Sequence, residues 1–187
     1  MDPSLTERDK MLCGEPYDSF DPELLAARFE ARRLTRRLSD LDPADAAGRE
    51  QVLRALLGGV GPGSWVEAPF FCDYGAQISI GAGVYVNMAC VFLDAAQISL
   101  GDDVQLGPGV QLVTSDHPRA AQERAAGSES ARPITIGARA WLGAGVIVLP
   151  GLEIGADAVV GAGSVVTQAV PAGVVAAGNP CRIVRGL

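Results

Sequence analysis

A single histidine, His117, stands in a chain of 187 residues that has one lysine (Lys10), four cysteines and 23 glycines. It lies in the run Ser115-Asp116-His117-Pro118. An imidazole, with an ordinary pKa of about 6.5, can accept a proton near neutral pH and return it. One histidine cannot build a zinc site of three histidines or a His-Glu-x-x-His helix. Cys13, Cys72, Cys90 and Cys181 show no Cys-x-x-Cys spacing, so they read as reduced, partly buried thiols and not as a zinc site or a redox pair. No metal is expected. Gly-x-Gly triplets beginning at Gly81, Gly107, Gly143 and Gly161 lack the third glycine and the following helix of a dinucleotide-binding turn. They read as corners of a repeat.

That repeat dominates the second part of the chain. Aliphatic residues recur every six positions at Ile136, Leu142, Val148, Ile154, Val160 and Val166, and upstream at Ile80, Val86, Leu100, Leu106 and Leu112. A period of six is neither helical nor simple strand alternation. It fits a mainly β solenoid in which each hexapeptide is a short flat strand plus a corner, three of them closing a triangular coil. Ile136 then stacks on Ile154, Leu142 on Val160 and Val148 on Val166, about five coils in all. A narrow interior of this kind explains why only 5% of the residues are aromatic. Two departures interrupt the ladder. From Val86 to Leu100 the spacing exceeds whole hexads by two, so the coil must bulge between Asn87 and Leu100, with Asn87 at the bulge. Between Leu112 and Ile136 the hexad positions fall on Pro118, Arg124 and Ser130, which cannot stack in an apolar core. Residues 113–133 are therefore expected as one long extruded loop, of the sort that tends to be functional or disordered. It carries His117.

The first part reads as a helical cap. Residues 1–59 hold 9 basic and 12 acidic side chains, against 6 and 10 in residues 60–187, and the boundary falls in the breaker run 58–63. Ser4 with Glu7 predicts a capping box, closed by Gly14. Asp21-Pro22 predicts the start of a second helix whose apolar face is Leu24, Ala27, Ala31, Leu34, Leu38 and Leu41. Arg28, Arg32 and Arg36 fall beside that face and read as a solvated basic stripe. Asp42-Pro43 predicts a third helix start, ending at Gly58-Gly59.

With a net charge of -7 and no stretch beyond the Arg-rich segment 28–37 that concentrates positive charge, nucleic acid and anionic membrane are poor candidate partners. The charged N-terminus and the lack of an 18-residue apolar run predict a soluble cytoplasmic protein.

The hexapeptide ladder, the helical start LTERDKMLCGEPY, residues 71–75, Tyr85-Val86-Asn87, the His-Pro loop, Trp141-Leu142-Gly143 and the ending Ala177-Gly178-Asn179-Pro180-Cys181-Arg182 together resemble the left-handed β-helix acyltransferases. Within these the chain is similar, over essentially its whole length, to the maltose and galactoside O-acetyltransferases and the related nodulation acetyltransferases. The resemblance implies a left-handed parallel β-helix, a homotrimer with active sites between subunits, and acetyl-CoA as co-substrate in a groove between solenoids. It implies that His117 is the general base on a sugar hydroxyl, that Asn87 lines the site beside it, and that the Ala144 backbone N–H stabilises the oxyanion. Coenzyme A contacts carried over by position are Gly143, Ala144, Ala162, Thr167, Gln168, Arg182 and Arg185, the arginines suiting phosphates. Gln168 departs from the lysine often found beside the threonine, which puts one ionic contact in question. Trp141 would pack beside the transfer centre or stack at the trimer interface.

On the acceptor side, Asp73, Tyr85 and Asp94 fall where the family lines its sugar pocket. Ser19 replaces one acidic contact of the galactoside enzymes and Ala95 another, which argues against a galactoside, while Glu129 looks like the glutamate of the maltose-type enzymes. The expected activity is O-acetylation of a small sugar by direct transfer. Its competitors are the same fold acting on an antibiotic or amine, and a non-catalytic structural solenoid.

Overall fold

The computed structural model describes residues 4–187. Four helices occur among them: α1 (Glu7–Cys13), α2 (Pro22–Asp40), α3 (Ala46–Leu56) and α4 (Ala121–Ala125). All other regular structure is short strand.

Helix α1 has its capping box two residues later than expected. Thr6 Oγ1 accepts from the Asp9 N–H, and the Asp9 carboxylate accepts from the Thr6 N–H, both at 3.1 Å. Glu7 is otherwise engaged: its carboxylate accepts from the Asp18 N–H at 2.7 Å and from Lys10. Gly14 closes the helix at φ 80°, as expected. Helix α2 starts at Asp21, whose side chain accepts from the Glu23 N–H, with Pro22 at the first position. Helix α3 is capped by Asp45 and not by Asp42; Asp42 accepts from the Ala44 N–H at 2.8 Å and makes a turn before the helix begins. The helix ends at Leu56, and Gly59–Val60 is already a strand of the solenoid.

The solenoid has three parallel faces. The first stacks Gly59–Val60, Ile78–Ile80, Ile98–Leu100, Ile134–Ile136 and Glu153–Ile154, with a bridge from Ile154 to Val170. The second stacks Trp65–Val66, Tyr85–Val86, Gln105–Leu106, Trp141–Leu142, Val159–Val160 and Val174–Ala177, and the antiparallel strand Arg182–Gly186 completes it. The third stacks Phe71–Cys72, Val91–Leu93, Gln111–Val113, Ile147–Val148 and Val165–Val166. Five coils are thus closed and a sixth is begun. Ile136 pairs with Ile154, Leu142 with Val160 and Val148 with Val166, as the hexad spacing predicts. Apart from the partly buried Val60 at the first coil, the inward residues of these ladders are buried, so the stack forms one continuous core.

Two ladder positions escaped the aliphatic pattern. Cys72 and Phe92 pair with each other on the third face, above Leu112, and both are buried. The bulge therefore lies at residues 94–97, after Phe92, and Asn87 sits at an ordinary corner. The preceding coil carries the same two-residue surplus at residues 73–77, between Cys72 and Ile80. One coil further on, the same corner expels the segment after Val113.

This excursion is ordered. Ser115 and Asp116 pair antiparallel with Ala131 and Ser130, α4 forms the tip, and Ser128 and Glu129 pair with Asp18 and Tyr17. This small sheet pairs the two arms of the excursion with each other and ties it to the N-terminal cap. A second apolar cluster lies beneath it: Met11, Tyr17, Leu24, Tyr74, Ala95, Ala96 and Ala131. Helix α2 thus serves both cores, with Leu24 in the small one and Ala31 and Leu38 in the solenoid's.

Candidate active site

The corner between the third and first faces is expanded in three consecutive coils, and each expansion is bonded to the next. Asp94 is fully buried, and its Oδ1 accepts from the N–H groups of Asp73 at 3.0 Å and Tyr74 at 2.8 Å. Thr114 Oγ1 accepts from the Ala96 N–H at 2.9 Å and donates to the Leu93 carbonyl. Asp94, expected on the acceptor side, is thus bonded into the corner that carries Asp73. Burial pushes its carboxyl up to about 6, against the Tyr74 N–H that favours the anion, and Oδ2 has no hydrogen-bond partner among the described residues.

Arg28 reaches this corner from α2. Its Nη2 donates to the Tyr74 hydroxyl at 2.9 Å and to the Ser19 carbonyl at 3.4 Å, while Nε lies 3.8 Å from Asp73 Oδ1. The solvated stripe of the sequence reading is therefore corrected at one position: Arg32 and Arg36 are exposed, but Arg28 is half-buried and paired. The signal was available, because Arg28 falls four residues after Leu24 and three before Ala31, on the buried stripe itself. Burial raises the Asp73 carboxyl, the Arg28 charge pulls it back and Glu129 raises it further. Tyr17 is buried and its phenol is pushed far above its ordinary range, by burial first and by the Glu129 charge second. Ser19, Asp73 and Glu129 thus surround Arg28, Tyr17 and Tyr74, three residues that the sequence reading did not select.

His117 stands in the excursion above this cluster. It is exposed, and its backbone N–H donates to Asp116 Oδ1 at 2.9 Å. Asp116 Oδ2 lies 3.6 Å from Arg132 in an exposed ion pair, and pairing with Ser130 holds the strand leading to the histidine.

A second group of expected residues occupies the corner between the second and third faces. Asn87, Gly107, Gly143 and Gly161 stack there, coil upon coil. Asn87 Oδ1 accepts from the Met88 N–H at 2.8 Å, a corner turn, and its amide NH2 has no hydrogen-bond partner among the described residues. The coils approach so closely that a Cβ on Gly143 would lie 2.7 Å from the Ala162 nitrogen. Ala144 and Ala162 are exposed beside this stack, and among the described residues the Ala144 N–H has no acceptor. Trp141, 52% exposed, and Tyr85, 38% exposed, point outward from the adjoining second face. The Tyr85 hydroxyl donates to Glu67 at 3.3 Å.

The remaining residues lie toward the far end. Thr167 and Gln168 are exposed after the last strand of the third face. Arg182 and Arg185 are exposed on the terminal antiparallel strand, their guanidinium groups resting on the carbonyls of Cys181 and Gly186. The expected residues therefore fall into two groups at opposite edges of the third face. His117, Ser19, Asp73, Asp94 and Glu129 belong to one; Asn87, Tyr85, Trp141, Gly143, Ala144 and Ala162 belong to the other. No group of three or more His, Cys, Asp or Glu able to hold a metal occurs among the described residues. No helix among them is long and apolar enough to cross a membrane.

Comparison with known proteins gives this arrangement a family. Residues 10–61 match the maltose acetyltransferase hexapeptide capping motif, and residues 133–168 match the bacterial transferase hexapeptide (six repeats). Nodulation protein L of Rhizobium meliloti is 46% identical over 95% of this chain and 97% of its own. The crystal structure of a maltose O-acetyltransferase from Clostridium difficile 630 superposes with a TM-score of 0.96 at 43% identity, covering 98% of each chain. A hexapeptide-repeat acetyltransferase from Vibrio cholerae, complexed with acetyl coenzyme A, superposes at 0.91 with 39% identity, covering 98% of this chain and 99% of that one. The chain belongs to the hexapeptide-repeat acyltransferases, in the family of the maltose and galactoside O-acetyltransferases, and is an acetyltransferase.

Proposed function

We propose that the protein transfers acetyl from acetyl-CoA to a hydroxyl of a small sugar, in a site completed between copies of the chain in a homotrimer. The observation that carries this reading is the cluster of Asp73, Glu129, Arg28, Tyr17 and Tyr74 beneath the excursion that bears His117. Carboxylates, phenols and a guanidinium held at a half-buried corner are the donors and acceptors that a polyol needs. The second half-site, with its open Ala144 N–H and outward Trp141, lies at the far end of the same face. A neighbouring copy that packs its own second half-site against this cluster unites the two.

In that pocket His117 takes the proton of the acceptor hydroxyl as its oxygen attacks the thioester carbon. The tetrahedral oxyanion is stabilised by the Ala144 N–H. Collapse breaks the carbon–sulfur bond, coenzyme A leaves as thiolate, and the imidazolium returns the proton to it. Asn87 orients the acceptor or the imidazole through its free amide. Coenzyme A runs past Gly143, Ala144 and Ala162 toward Thr167 and Gln168, with Arg182 and Arg185 meeting its phosphates. Asp94 keeps the Asp73–Tyr74 corner in shape, and residues 1–59 act as a cap that supplies Arg28 and Ser19 to the solenoid of residues 60–187.

One observation favours a second acceptor class. Asp73 and Glu129 bring two carboxylates to this corner, where Arg28 is the near cation and Arg32 a weaker one, so the pocket would also attract an ammonium group. Thiol release from acetyl-CoA with a panel of sugars, amino sugars, chloramphenicol-like alcohols and amines tests both. Turnover with neutral sugars supports the reading; turnover confined to amines, or none with any acceptor, overturns it. A stable monomer in sedimentation would contradict the shared site.

A further inference from the structure

The outward face that carries Tyr85 and Trp141 continues one coil beyond Tyr85. Trp65 pairs in register with Tyr85, so their side chains leave the same side of the sheet at the spacing of adjacent strands, about 4.8 Å. Trp65 is half-buried and held in place: the Arg49 guanidinium lies 4.3 Å from its ring centroid, and Arg49 is itself buried, donating from Nη1 to the Val66 carbonyl at 2.8 Å. Beyond the ring opens a groove of about 420 Å³ between α3 and the corner at residues 61–64, with Trp65, Arg49, Glu50 and Arg54 among its walls. The Glu50–Arg54 ion pair is exposed on that helix. A rigid aromatic ring, one face of it covered by Arg49, beside planar, hydrogen-bonding side chains suits a pyranose, which packs C–H groups against the remaining ring surface while its hydroxyls meet the polar groups. The step from Tyr85 to Trp65 is comparable with the length of one sugar unit.

We propose that Trp65 and this groove form a second acceptor subsite, which binds the sugar unit next to the one acetylated and so selects oligosaccharides over monosaccharides. The inference rests on the reading of the site as a sugar O-acetyltransferase, and it assigns Trp65 to binding alone. Arg49 is a positioning residue for the ring.

Initial rates of coenzyme A release at saturating acetyl-CoA, for glucose, maltose, maltotriose, cellobiose and cellotriose, test it. In at least one of the two linkage series KM falls tenfold or more from glucose to the trisaccharide while kcat holds. Trp65→Leu, which keeps an apolar side chain but no ring, removes that fall and leaves kcat/KM for glucose within twofold; Trp65→Phe retains most of it. Equal kcat/KM along both series in the unaltered protein overturns the subsite whatever the variants do. So does a Trp65→Leu loss of the same size for glucose and trisaccharide. Turnover of amines or simple alcohols with none of the five sugars defeats the sugar reading itself, and the subsite with it.

Discussion

Arg28 Nη2 and the Tyr74 hydroxyl meet at 2.9 Å, joining a helix of the N-terminal cap to the first expanded corner of the solenoid. The guanidinium also lies 5.4 Å from the Tyr74 ring centroid and 3.8 Å, through Nε, from Asp73. One side chain therefore bridges cap, corner and candidate acceptor pocket, beside the apolar packing of Leu24, Ala31 and Leu38.

Replacing Arg28 with Ala leaves the buried Tyr74 hydroxyl without its donor and the half-buried Asp73 carboxylate without its nearby cation. The expected cost is about 1–3 kcal/mol of stability, since the pair is only partly shielded from water. The kcat/KM for the acceptor should fall at least tenfold while coenzyme A affinity stays unchanged. Thermal melts and calorimetric titration with coenzyme A check the two halves separately.

His117→Ala should lower kcat by about 100-fold or more, the scale of general-base catalysis, with coenzyme A binding preserved. His117 is exposed, so the fold should be unaffected. Turnover near that of the unaltered enzyme would refute the assignment.

Asp94 predicts a pH dependence of stability. Its folded carboxyl stands at about 6 against an ordinary 3.8, mainly through burial. The folded state thus holds its proton more tightly than the unfolded chain. Its contribution is full below about pH 4 and is lost as pH rises through about 6, a change on the order of 3 kcal/mol. Asp94→Asn keeps the Oδ1 acceptor and has no charge to bury. The Tm difference between the variant and the unaltered protein should therefore grow in the variant's favour from pH 4 to 7.

Gly143→Ala would place a methyl group 2.7 Å from the Ala162 nitrogen, where backbone and not a flexible side chain must yield. Opening that corner should cost about 1–3 kcal/mol and weaken coenzyme A binding, read by calorimetry. Gly145→Ala, where no atom lies within 4 Å of the added Cβ but φ is 68°, is the control for strain without crowding.

Much of this architecture is local and was legible in the residues. The i, i+6 aliphatic spacing determined the ladders of Ile136, Leu142 and Val148, because a stacked coil repeats one environment at one interval. Asp21-Pro22 placed the start of α2, since a cap acts within one turn. The polar hexad positions at Pro118, Arg124 and Ser130 exposed the excursion that holds His117. Tertiary structure decided the rest. Phe92 and Cys72 fill ladder sites because the interior at that level accepts them, which no aliphatic pattern records. Arg28 is paired and not solvated because residues 46 positions away fold against it. The two groups of candidate residues are separated for a similar reason: the width of the third face lies between Asn87 and His117, and that distance exists only once the coil has closed.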